Sequence, residues 1–198
     1  MKKIYIVLTY TGSVLSKIVK MYTRREFSHV SIALDEDLQE MYSFGRTFAL
    51  IPFIAGFVHE QPRKGTFKRF KKTKTRVYSL EVPDDKYEKV LEIIDDFKNN
   101  KSQYKFNIGG LACVAIHLKF KREKSFYCAE FVKYVLEQSQ IQDSLPELIK
   151  PEDFKETKAS TENPFAEDGS RAEGTPSSAS AEKPKDNLDD SLLKWLGK

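Results

Sequence analysis

Two cysteines and three histidines hold most of the nucleophilic and proton-transfer chemistry available to this chain. Cys128 stands in Ser125-Phe126-Tyr127-Cys128-Ala129-Glu130-Phe131-Val132, and Phe131, Val132, Val135 and Leu136 follow at helical spacing. With Ser125 near the cap, the thiol falls in the first turn of that helix. Unpaired backbone N–H groups and the helix macrodipole favour negative charge there, and the thiolate is the nucleophilic form of cysteine. The same N–H groups are placed to stabilise an oxyanion forming beside the sulfur. Cys113 lies within the apolar run Leu111-Ala112-Cys113-Val114-Ala115-Ile116 and reads as a small apolar filler. Cys128 is the candidate nucleophile. Taken alone, a cysteine at a helix start is more often structural than catalytic, so a base must be found.

That base has to be His29, His59 or His117. His29 opens the alternating stretch His29-Val30-Ser31-Ile32-Ala33-Leu34, a half-buried strand pattern. Its side carries Ser31 and Ala33, small residues that leave room for the start of the Cys128 helix. His59 sits beside Glu60 after an apolar, glycine-containing loop and reads as exposed. His117, beside basic residues, reads as a packing histidine. A Cys–His pair also needs a group that orients the imidazole. A tight turn at Glu36 would pair His29 with Ser43 on the returning strand, and a one-residue slip would bring Tyr42 or Phe44 opposite. Ser43 and Tyr42 are therefore the first choices, with Glu40 behind them. A dyad completed by a backbone carbonyl or a water is the remaining arrangement.

The elements that must position these residues occupy roughly the first 155 residues. Lys3 to Thr9 is a β-rich apolar run. Ser13 caps a helix with Val14, Leu15, Ile18, Val19 and Tyr22 on one side. His29 to Leu34 and Leu38 to Phe44 form strands about a turn at Asp35-Glu36-Asp37. Val77 to Val82 is a strand closed by Pro83, and Asp84 starts a helix with Tyr87, Val90, Leu91, Ile94 and Phe97 inward. Ile108 to Leu118 is apolar and fits either helix or strand. The Cys128 helix runs to about Gln140. Elements in this order predict an α+β domain, an antiparallel sheet or small barrel packed against helices, spanning 1–155.

Composition sets the rest of the frame. Ser, Glu, Lys, Pro, Ala and Gly dominate 156–186, with almost nothing to bury, which predicts a disordered linker. Leu188, Leu192, Trp195 and Leu196 then recur at helical spacing and predict a short amphipathic helix over 187–198. No apolar run approaches the ~20 residues that span a bilayer. Met1-Lys2-Lys3 and the apolar residues after it lack the length and cleavage site of a secretory signal. The expectation is a cytoplasmic protein with free thiols. From Arg63 to Arg76 there are eight Lys or Arg residues and no acid. Phe67 and Phe70 are interleaved with them. This stretch reads as a solvated loop or as a seat for an anionic membrane surface or nucleic acid.

Phe27-Ser28-His29-Val30-Ser31-Ile32-Ala33-Leu34 resembles the histidine strand of the circularly permuted NlpC/P60 (papain-like) superfamily. That group includes the YiiX/YaeF-like and lecithin:retinol-acyltransferase-like proteins. Phe126-Tyr127-Cys128-Ala129-Glu130-Phe131-Val132 resembles their nucleophile helix, and Met41-Tyr42-Ser43-Phe44-Gly45-Arg46 resembles a stretch of bacterial members. His29 before Cys128 is the permuted order, and the likeness covers roughly residues 1–140. Many members carry His, Glu, Gln or Asn as the third polar residue, where this chain offers Glu40, Tyr42 and Ser43. The resemblance implies thiol-dependent acyl chemistry on an amide or ester, without metal or cofactor. An amidase or peptidase on a small-molecule or peptide substrate comes first, and a lipid acyl hydrolase or acyltransferase second. The alternative is a non-catalytic binding module using the basic 63–76 stretch, with no sequence-specific nucleic acid as partner.

Overall fold

The computed structural model describes residues 1–47, 55–62, 64–70, 73–115, 123–143, 145–156 and 161–163. Ile4 to Leu8 are buried on both faces of the long strand β1 (Lys2–Tyr10), so its unbroken apolar run marks the centre of a sheet. Helix α1 (Val14–Thr23) follows, its first turn closed by the Ser13 hydroxyl accepting from the Ser16 N–H. Strands β2 (His29–Ala33), β3 (Met41–Arg46) and β4 (Ala55–Glu60) then add outward on one side of β1. After the short helix α2 (Gly65–Arg69), β5 (Lys74–Val82) pairs along the whole other side of β1. Helix α3 (Asp84–Asn99) leads to α4 (Ile108–Ala115) and α5 (Cys128–Gln138), each preceded by a two-residue strand, β6 (Lys105–Phe106) and β7 (Ser125–Phe126). A last strand, β8 (Thr161–Asn163), pairs with β5.

The main sheet runs β4-β3-β2-β1-β5-β8, antiparallel throughout and open, not a barrel. The architecture is thus the α+β class expected, a sheet against helices. Ile4, Ile6, Leu8, Val30, Ile32, Phe44 and Phe57 make one face, with Val90, Ile94 and Phe97 of α3 and Phe131, Val132, Val135 and Leu136 of α5 against it. Edge-to-face rings continue from helix to sheet, Phe131 of α5 lying 5.1 Å from Phe97 of α3 and 5.6 Å from Phe57 of β4 between centroids. The opposite face is smaller: Tyr5, Val7, Ala33, Leu38, Met41 and Val77, with Phe67 of α2 packed on it.

Two local departures from the sequence pattern matter for the site. The β2–β3 connection is longer than a tight turn at Glu36. The Leu34 N–H reaches the Glu40 carbonyl, and the Asp35 carboxylate accepts from the Gln39 and Glu40 N–H groups. The loop thereby holds two more residues, Ile32 pairs with Tyr42, and the continuing register sets Gly45, not Ser43, opposite His29. In addition, the apolar, glycine-containing segment Ala55–Glu60 is a strand and not a loop, which builds Glu60 into the sheet and leaves His59 exposed as expected. The predicted linker 156–186, apart from its first residue and the three of β8, and the helix 187–198 lie outside the described residues. So does His117. Cys113 stands in α4, the helical alternative for its apolar run.

Candidate active site

Cys128 is the first residue of α5, with Tyr127 as the cap. Three contacts fix that helix start. The Glu130 carboxylate accepts the Tyr127 N–H at 3.1 Å and the Asn107 amide at 3.1 Å, and the Tyr127 hydroxyl donates to the Ile149 carbonyl at 2.9 Å. The sulfur sits where backbone N–H groups have no carbonyl one turn back to bond. Ala129, Phe131, Val132, Val135 and Leu136 are fully buried behind it, so the turn bearing the thiol is anchored by the core.

His29 is the first residue of β2, and its ring reaches the same cavity as Cys128. The predicted seat for the Cys128 helix has to be corrected: α5 packs over Val30 and Ile32, and Ser31 and Ala33 face the other way. Imidazole and sulfur nevertheless line one cavity, at the end of the strand rather than on its flat face, and the sulfur helps to raise the pKa of the imidazole. One ring nitrogen is held by Glu60. Nε2 lies 3.1 and 3.2 Å from the two Glu60 oxygens, and the Ser31 hydroxyl donates to Glu60 at 2.6 Å.

Glu60 is therefore the group that orients the imidazole. Neither Ser43 nor Tyr42 does so. The Ser43 hydroxyl is buried and donates to the Val30 carbonyl at 2.9 Å. The Tyr42 ring lies on the opposite side of the sheet, stacked between Phe57 and His59, with its hydroxyl on Glu40. Glu40 is spent on that contact, and His59 is bonded to the Gln39 carbonyl at 2.6 Å. The missed residue left a signal. In Gly56-Phe57-Val58-His59-Glu60, alternation puts the aromatic Phe57 on one face and Glu60 on the other, the face His29 shares. Gly45 completes the fit, because a Cβ there would stand 3.3 Å from His29 Cε1 and 3.5 Å from the Glu60 carboxylate.

The electrostatics follow from this stacking. Burial works against charge on His29, but the Glu60 carboxylate, the Cys128 sulfur and the hydrogen bond to Glu60 outweigh it and push the imidazole up to about 10. Burial works against charge on Glu60 as well. The His29 charge, the hydrogen bonds from His29 and Ser31, and the nearby Arg46 guanidinium hold it below the usual carboxylate value. Arg46 lines the cavity with its guanidinium 3.4 Å from the Ser13 hydroxyl and 5.5 Å from the Phe70 ring centre. The cavity holds about 80 Å³ and is walled by Leu15, Ser16 and Val19 of α1, Phe67 of α2, and Tyr127. Ser28 also borders it, its hydroxyl buried and without a hydrogen-bond partner among the described residues.

The scan against protein-family models and the search of curated proteins both return no match for this chain. Among the described residues no three His, Cys, Asp or Glu side chains form a metal-holding group, and no helix is long and apolar enough to cross a membrane. In the basic stretch, Lys64, Lys68 and Arg69 are exposed on or beside α2, whereas Phe67 lines the cavity and Phe70 lies beneath Arg46. Those two rings are thus engaged in the protein rather than offered to bases. Arg63, Lys71 and Lys72 lie outside the described residues.

Proposed function

We propose that this chain is a thiol-dependent hydrolase or acyltransferase that opens amide or ester bonds through an acyl-enzyme on Cys128. One observation carries the reading: an imidazole bonded to the Glu60 carboxylate lines one cavity with the thiol at the first turn of an anchored helix. This is the nucleophile, base and orienter arrangement that thiol acylation needs. The permuted NlpC/P60 resemblance, with an amidase or peptidase ahead of a lipid acyl hydrolase, supplies the substrate classes.

Near neutral pH His29, with its raised pKa, already holds the proton, and the thiolate paired with it attacks the carbonyl carbon. The Cys128 backbone N–H, in the first turn of α5, is the donor at hand for the oxyanion. With its raised pKa, His29 retains that proton near neutral pH and delivers it to the departing amine or alcohol. Water, or an acceptor amine or alcohol, then attacks the thioester. His29 takes its proton and keeps it as the carbon–sulfur bond breaks, which restores the imidazolium and thiolate for the next turnover. Glu60 stays ionised throughout and stabilises the imidazolium. Ser31 keeps Glu60 in place.

The test is profiling with electrophilic acyl probes and with iodoacetamide near neutral pH. The parent should label at Cys128 at least about a hundredfold faster than a free-thiol peptide. Cys128→Ala should abolish labelling, and His29→Ala should reduce it to the peptide rate. Labelling of Cys128 at the peptide rate in the parent, or undiminished in the histidine variant, overturns the reading.

A further inference from the structure

Helix α1 carries its apolar stripe on the wrong side for a core helix. Val14, Lys17, Ile18, Met21 and Tyr22 follow at i, i+3, i+4, i+7 and i+8, one face of the helix. Val14 is 76% exposed, Met21 65%, Tyr22 53% and Ile18 43%. The inward side consists of Ser16 and Val19, which with Leu15 wall the cavity of His29 and Cys128. Isolated exposed apolar side chains are ordinary, but four contiguous ones on one helix face mark an interaction surface.

The charges around that face indicate its partner. The segment from Val14 to Arg25 contains Lys17, Lys20, Arg24 and Arg25 and no acid. The exposed side chains of Lys17 and Arg24 have no ion-pair partner among the described residues, whereas Arg25 reaches Glu152 at 4.0 Å. Arg46 links α1 to α2 by contacting the Ser13 cap of one helix and Phe70 at the end of the other. Lys64, Lys68 and Arg69, on or beside α2, are exposed as well. An apolar stripe accompanied by the exposed cations Lys17 and Arg24 complements a surface that is apolar beneath and anionic above. That describes the headgroup boundary of an anionic bilayer.

We infer that the outer face of α1 seats this protein on an anionic lipid bilayer, with Val14, Ile18, Met21 and Tyr22 entering the headgroup boundary and Lys17 and Arg24 meeting lipid phosphates. The inner face of the same helix would then hold the cavity against the membrane. This goes beyond the proposed chemistry and does not require it, so Cys128→Ala should bind membranes as the parent does.

The test is sedimentation of the full chain with vesicles of phosphatidylcholine, alone or mixed with phosphatidylglycerol. Binding should need the anionic lipid and weaken between roughly 0.1 and 0.5 M NaCl. The double variant Ile18→Asp/Met21→Asp should lower partitioning at least about tenfold. A second measurement serves if that variant does not fold. Tyr22→Trp on a Trp195→Phe background should be quenched by brominated phosphatidylglycerol. Four results overturn the inference: no binding to anionic vesicles, binding unchanged in the double variant, no quenching at position 22, or binding lost only with Leu192→Asp/Trp195→Asp in the tail. A lipid-free dimer that Met21→Asp dissociates in the ultracentrifuge also overturns it, assigning the face to a second copy.

Discussion

Helices α5 and α1 border the same cavity, are about equally long and are both amphipathic, yet they use their apolar faces in opposite ways. α5 buries Phe131, Val132, Val135 and Leu136 completely against β2, β3 and α3. α1 buries Ser16 and Val19 and turns Val14, Ile18, Met21 and Tyr22 to solvent. The difference separates two jobs. A nucleophile must keep its position to within a fraction of an ångström, so the helix that starts with Cys128 is fastened by packing. The facing wall only has to bound the cavity, which frees its other side for a partner.

The largest break in this comparison is Phe131→Ala. Its ring contacts Phe44, Phe57 and Phe97, so truncation should cost about 3–5 kcal/mol of stability. Denaturant unfolding measures the loss. The same variant should slow Cys128 labelling at temperatures where it is still folded, because the helix start loses its backing. A cost below about 1 kcal/mol would mean that α5 is not anchored as the contacts indicate.

Glu60→Gln sharpens the comparison on the side of the anchored thiol. It removes the charge that holds the imidazolium and should slow acyl-probe labelling about a hundredfold while leaving the fold intact. The pH dependence carries a sign that can be checked. The His29 value in the fold lies above that of a free imidazole, so its protonation contributes full stability below about 6.5. That contribution disappears as pH rises through about 10. Glu60 is held down instead, so its contribution is present above the ordinary carboxylate value and is lost as pH falls through its lowered one. The His29 ring resonance followed by NMR should titrate near 10 in the parent and well below that in Glu60→Gln. A parent ring that titrates near 6.5 would remove Glu60 from the arrangement.

These two predictions also mark how far the sequence could be read. Strand β1, the Ser13 cap, the inward residues of α3 and the position of Cys128 at a helix start all follow from local patterns of period 2 or 3.6, because one residue's neighbours determine them. The orienting group did not follow, since it depends on two non-local facts. One is the two-residue lengthening of the β2–β3 loop by Asp35, which sets Gly45 opposite His29. The other is the strand character of Ala55–Glu60, hidden by its glycine and the residues before it. Ser43 and Tyr42 were the rational choices for a shorter turn, and the longer one sends the first to the Val30 carbonyl and the second to the far face. Hydrophobic periodicity likewise shows that α1 has an apolar face but not which way it points.

That last ambiguity gives the smallest expected effect and the sharpest control. If α1's outer face is free in the isolated chain, Met21→Ala removes no packing, and its stability should stay within about 0.5 kcal/mol of the parent. Val19→Ala, two residues away on the buried side, should cost more, about 1–2 kcal/mol, because it empties part of the cavity wall. Thermal or urea unfolding of the two variants side by side reads the direction of the helix without lipid or substrate. Equal costs would mean that another part of the chain covers Met21. The contrast with α5 would then be one of degree, and the apolar stripe would belong to the fold. A near-zero cost at Met21 beside a measurable one at Val19 leaves the stripe without any use inside the protein, so its use must lie in what the protein touches.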